Sequence, residues 1–166
     1  GITLPLSDVN SFALADFNSD GLIDIAFAAN SNSAIFINQG AGKYELGASF
    51  LANEDVKHVA VADFNTDGTL DIAFATESEL GSGVLYNDGN LVFTDIQIVS
   101  SIPSQWVFTL DINADALNDI ILLDDSDNGI SIITQPFTVA SVLDNKVRQS
   151  NAVTDSEAAF NDLATG

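Results

Sequence analysis

The chain contains no cysteine and no methionine, and only four of its 166 residues, Lys43, Lys57, Lys146 and Arg148, carry a fixed positive charge. Without thiols, disulfides cannot hold the fold, and thiolate metal sites and cysteine nucleophiles are excluded. So few cations exclude a nucleic-acid partner, because neutralising phosphate takes clustered lysine and arginine. With His58 as the only histidine, neither a catalytic triad nor a multi-histidine zinc site is expected, and the expectation is a non-enzyme. No apolar run approaches the roughly 18 residues of a membrane span, so no membrane insertion is expected. No initiator methionine or signal peptide is visible, which reads as a processed or excised segment.

Acid is what the chain has in excess. Twenty-four aspartates and glutamates give a formal charge of −20, against an apolar fraction of 46% and a mean hydropathy of +0.24. Such a composition has a core to bury, but self-repulsion opposes the compact state unless something offsets it. Three divalent cations would lower the formal charge to about −14.

The acid is organised. Asp16-Phe-Asn18-Ser-Asp20-Gly21-Leu-Ile-Asp24 is followed by Asp63-Phe-Asn65-Thr-Asp67-Gly68-Thr-Leu-Asp71 and by Asp111-Ile-Asn113-Ala-Asp115-Ala116-Leu-Asn-Asp119, the leading aspartates 47 and then 48 residues apart. Each loop carries side-chain oxygens at its positions 1, 3, 5 and 9. Calcium takes six to eight oxygens at about 2.3–2.6 Å. In the first loop Asp16, Asn18 and Asp20, the Leu22 carbonyl and Asp24 form such a set. Asp63, Asn65, Asp67, the Thr69 carbonyl and Asp71 repeat it. The third set is Asp111, Asn113, Asp115, the Leu117 carbonyl and Asp119. Here Ala116 stands where the sharp turn favours glycine, so a strained or differently shaped turn and weaker binding are expected. The expected cofactor is calcium, two to three ions. Asp, Asn and Gly also serve as plain turn formers, but a carboxylate inside an apolar strand at position 9 is costly without a cation.

Each loop lies between short apolar runs, Phe12–Ala15 and Ile23–Ala28 around the first, which read as strands buried on both faces. A third strand (Ala34–Ile37, Gly83–Tyr86, Ile130–Ile133) and a more polar fourth (Lys43 towards Leu51, Leu91–Ile98, Phe137–Val142) follow. The fold class is all-β: one segment of three four-stranded antiparallel β-propeller blades, at about 10–52, 57–98 and 105–143. Residues 1–6 read as the outer strand of a preceding blade. Residues 144–166 read either as a tail, helical over 155–163, or as a degenerate fourth repeat in which Ala159 replaces the leading aspartate. The propeller is incomplete unless a longer chain or an oligomer completes it.

The loop followed by Ile-Asp-Ile-Ala-Phe resembles the FG-GAP and VCBS repeats of integrin-α-like β-propellers, over residues of about 10 to 143. That resemblance implies that the loop joins the first two strands of a blade and binds calcium. The family includes cell-adhesion receptors, lectins and appendages of polysaccharide-acting enzymes, so fold is implied more narrowly than function. The expected function is a non-catalytic, calcium-binding, secreted or cell-surface module for adhesion or recognition, with an extracellular protein or glycan as partner. Two alternatives stay open: a ring- or filament-forming subunit completed by strand exchange between copies, and an accessory part of a polysaccharide-acting enzyme. Five residues before each leading aspartate stand Ser11, His58 and Trp106, a candidate lectin-like binding patch. The bland alternative is that Trp106 fills space between blades.

Overall fold

A computed structural model of the chain describes residues 3–93, 95–124 and 129–137. Among these the structure is all-β, without a helix. β1 (Val9–Ala15), β2 (Asp24–Ala29), β3 (Ser33–Asn38) and β4 (Tyr44–Phe50) form one antiparallel meander. β5 (Val56–Ala62), β6 (Asp71–Thr76), β7 (Ser82–Tyr86) and β8 (Asp95–Ser100) form a second. β9 (Ser104–Leu110), β10 (Asp119–Asp124) and β11 (Ile130–Ile133) form the third. The expected fourth strand of that sheet, beyond Phe137, and the tail with its Ala159 repeat lie outside the described residues, as do residues 125–128. Of residues 1–6, expected as an outer strand, the described ones, 3–6, form no strand.

The blades stack through their inner strands: β1 packs beside β5 and β5 beside β9. Two apolar cores result. Between the first and second sheets, Ala26, Ala28, Ile35 and Ile37 meet Val59, Ile72, Phe74 and Leu85, all buried. Between the second and third, Ala62, Ala73, Ala75 and Val84 meet Val107, Ile120, Leu122 and Ile133. Every residue of β6 is buried, as befits the inner strand of a blade covered on both faces. Among the described residues the three sheets do not close on themselves, and no other sheet packs on the far side of the first or of the third.

Each sheet also carries a β-bulge at the same place, between Val9 and Ser11, between Val56 and His58, and opposite Leu123 and Asp124. The extra residue tightens the local twist and re-aims side chains. Asn10 and Lys57, the residues skipped by the first two bulges, tie the end of the stack away from the acidic loops. Asn10 donates through Nδ2 to the Val56 carbonyl of the next blade at 2.8 Å. Lys57 pairs with Asp55 at 2.7 Å and Glu77 at 3.1 Å.

Candidate metal centre

The three acidic loops connect the first and second strands of their sheets and share one hydrogen-bond pattern. Asp16 accepts from the Asp20 N–H through Oδ1 (3.0 Å) and from the Gly21 N–H through Oδ2 (2.8 Å). Asp63 accepts from Asp67 and Gly68 (3.2 and 2.9 Å). Asp111 does the same with Asp115 and Ala116 (3.2 and 2.9 Å). The fifth-position aspartate then accepts from the seventh residue, Leu22, Thr69 or Leu117. Asn18, Asn65 and Asn113 each donate from Nδ2 to that same aspartate at 2.7–2.9 Å.

Position 6 is left-handed in all three loops, with φ of 86° at Gly21, 88° at Gly68 and 70° at Ala116. Ala116 therefore keeps the turn's shape and carries the strain, one of the two outcomes expected from sequence. A left-handed alanine costs about 1–2 kcal/mol, of which the smaller freedom of unfolded alanine offsets about 0.4–1 kcal/mol. Ala116→Gly is thus expected to raise the melting temperature by roughly 2 °C. No atom lies within 4 Å of a Cβ built on Gly68, so Gly68→Ala is expected to lower it by a similar amount through backbone strain alone. Paired thermal melts check both signs. Position 4 is left-handed too, at Ser19, Thr66 and Ala114 (φ 59°, 60° and 62°), and for β-branched Thr66 this is a true outlier.

The ninth-position carboxylates are fully buried at Asp24, Asp71 and Asp119. Asp24 accepts from the Phe17 N–H at 3.0 Å and the Asn38 N–H at 2.8 Å. Asp71 accepts from Phe64 and Asn87, both at 2.9 Å, and Asp119 from Ile112 at 3.0 Å and Gln135 at 2.9 Å. Each therefore braces the acidic loop to the third connection of its own sheet. Burial pushes the Asp71 carboxyl up from its ordinary value, the Asn87 and Phe64 N–H groups pull it back, and Asp67 and Asp63 push it up again. Asp24 is raised in the same way, by burial first and by Asp20 and Asp16 last.

Asn38, Asn87 and Gln135 complete these braces, and sequence reasoning passed over them as site residues. Their side chains donate back to the carbonyls of Ile23, Leu70 and Asn118 at 3.0–3.2 Å. Gln135 also reaches the Phe64 carbonyl of the second blade at 2.9 Å. The signal was available: each stands 14 or 16 residues after its aspartate.

The loop oxygens fit a hard cation in kind and number, since every side-chain donor is a carboxylate or an amide and each oxygen can accept more than one partner. Among the described residues, however, no three Asp, Glu or His side chains are already gathered as a cation cage. The ninth carboxylate is turned onto backbone N–H groups, and the third- and fifth-position side chains bond each other. Among the described residues the ion pairs are the two of Lys57, and neither involves a loop carboxylate.

The second candidate patch forms only in part. The His58 ring lies 4.9 Å from that of Trp106 and 5.6 Å from that of Phe108. Burial lowers the His58 pKa, and a hydrogen bond with the Val107 backbone pulls the other way. Ser11 lies on β1, and its buried Oγ has no hydrogen-bond partner, nor has His58 Nδ1. Trp106, about half exposed, stands beside His58, while nothing bonds Ser11 to either.

No curated protein shows a significant match to the chain. The model of the FG-GAP-like repeat family matches residues 16–74, from the first loop's leading aspartate through the second loop and into β6. Over that span, which holds two of the three acidic loops, the chain is similar to the FG-GAP-like repeat family.

Proposed function

We propose that the chain is a non-catalytic, calcium-binding propeller module that serves recognition or adhesion outside the cell. The observation that supports this reading is the threefold recurrence of three carboxylates in one nine-residue loop, with no basic side chain paired to them among the described residues. Asp16 and Asp20 already repel the buried Asp24, as Asp63 and Asp67 repel Asp71. Repeated left-handed residues at loop position 4 point the same way, because backbone strain concentrates where a ligand clamps the chain.

Asp16, Asn18, Asp20, the Leu22 carbonyl and Asp24 would hold one ion, and the equivalent residues of the second and third loops the others. When bound, calcium supplies positive charge to a carboxylate triplet that otherwise has only N–H dipoles. The chain's own residues do the rest: the position-1 aspartates shape the turn, and the position-9 aspartates fix it to the sheet. Weak sites of this class fill at the millimolar calcium found outside cells. An extracellular protein or glycan is the partner this reading implies.

Thermal melts test the calcium reading. A site filled at a hundred times its Kd adds about 2.7 kcal/mol to stability. Millimolar calcium is expected to raise the melting temperature, a chelator to reverse the rise, and magnesium to do much less. An unchanged melting temperature in all three conditions would overturn the assignment.

A further inference from the structure

The inner strands β5 and β9 lie side by side, and the second blade reaches across to the third through the chain's one histidine. The His58 ring on β5 is centred 4.9 Å from that of Trp106 and 5.6 Å from that of Phe108, both on β9. It also hydrogen-bonds the backbone of Val107, the residue between those two, and the bond favours the charged ring. The ring therefore donates and the Val107 carbonyl accepts. Nδ1 is buried and has no partner, so the donor is Nε2, and the lone pair of Nδ1 faces nothing that could donate to it.

That arrangement suits only the neutral ring. A second proton, on Nδ1, would be buried without an acceptor, and its charge would lie between aromatic side chains. A cation gains less from an aromatic face than it loses by burial without a partner. No charge on β9 compensates it. At this end of the stack stand Lys57 with its partners Asp55 and Glu77, and Asp124 on β10, while Asp71 lies at the other end of β6. Among the described residues none of these contributes to the proton affinity of His58, which burial lowers and the Val107 backbone raises. Ser11, at the equivalent place on β1, cannot titrate, so the first interface has no such group.

We infer that His58 is an acid-released clasp between the second and third blades: the neutral ring holds β5 to β9, and a second proton frees the third sheet while the first and second stay joined. The clasp is complete above about pH 6.5, where a solvated histidine titrates, and weakens as pH falls below it. The sign follows because the ring takes up a proton more readily once opened to water than when closed. Between about pH 7.5 and pH 5.5 the opened state can gain at most about tenfold over the closed one.

Hydrogen exchange followed by NMR on the full chain tests it, each amide rate being corrected for the direct effect of pH. Opening of β9, β10 and β11 is expected to rise several-fold over that pH range, while β1, β2, β3 and β4 change little. His58→Phe, which keeps a ring and cannot titrate, is expected to abolish the rise. His58→Gln, which keeps a donor for Val107, serves the same comparison should His58→Phe fail to fold. Carboxylates titrate in parent and variant alike, so the difference belongs to His58. Being the only histidine, it also gives an unambiguous ring-proton titration, with a folded midpoint expected below about 6.5. Third-sheet opening that ignores pH, a rise that survives without His58, a rise shared equally by the first sheet, or a folded midpoint at or above about 6.5 would each overturn the inference.

Discussion

Asp71→Ala is expected to destabilise the chain by about 3–5 kcal/mol, more than the same change at either equivalent position. Its two oxygens hold the Phe64 and Asn87 N–H groups in fully buried bonds, and each donor left without an acceptor costs about 1–3 kcal/mol. At Asp24 one of the two bonds is only part-buried, and at Asp119 both are. Water can therefore repair more of the damage, and the expected order is Asp71, then Asp24, then Asp119. Asp71→Asn keeps one acceptor and is expected to recover part of the loss. Urea unfolding midpoints of the variants measure the order, and Asp119→Ala costing as much as Asp71→Ala would remove burial as its cause.

Phe74→Ala is expected to cost a similar amount, about 3–5 kcal/mol, because this fully buried ring sits at the centre of the first interface. The equivalent Phe27 in the first blade offers an internal control. It stands on the uncovered side, against Phe12 and Phe36, so Phe27→Ala should cost about 1 kcal/mol. The two substitutions remove the same side chain from the same place in the repeat, and only the neighbouring blade differs. Equal losses in equilibrium unfolding would mean that stacking does not set the energetics.

The period of the acidic loop made much of this legible. Asp16, Asp63 and Asp111 mark the start of each connection, and the runs beside them became β1, β2, β5, β6, β9 and β10. The β-bulges were not legible, because one extra residue such as Asn10 or Lys57 leaves the apolar pattern nearly unchanged and shows only in the pairing register. Asn38 and Asn87 are of a residue type common in turns, and that type says nothing of their bonds to the ninth-position aspartates. Those aspartates read as cation ligands alone, because spacing identifies an oxygen donor but not the N–H groups a folded chain brings to it.

The central claim is that one loop both braces its blade and gathers a cation, and a calorimetric calcium titration of the whole chain addresses it most directly. Two to three ions per chain are expected, with one fewer after Asp16→Asn and again after Asp63→Asn, changes that leave the buried ninth-position braces in place. Absence of saturable binding at millimolar calcium, or an unchanged stoichiometry in those variants, would contradict it.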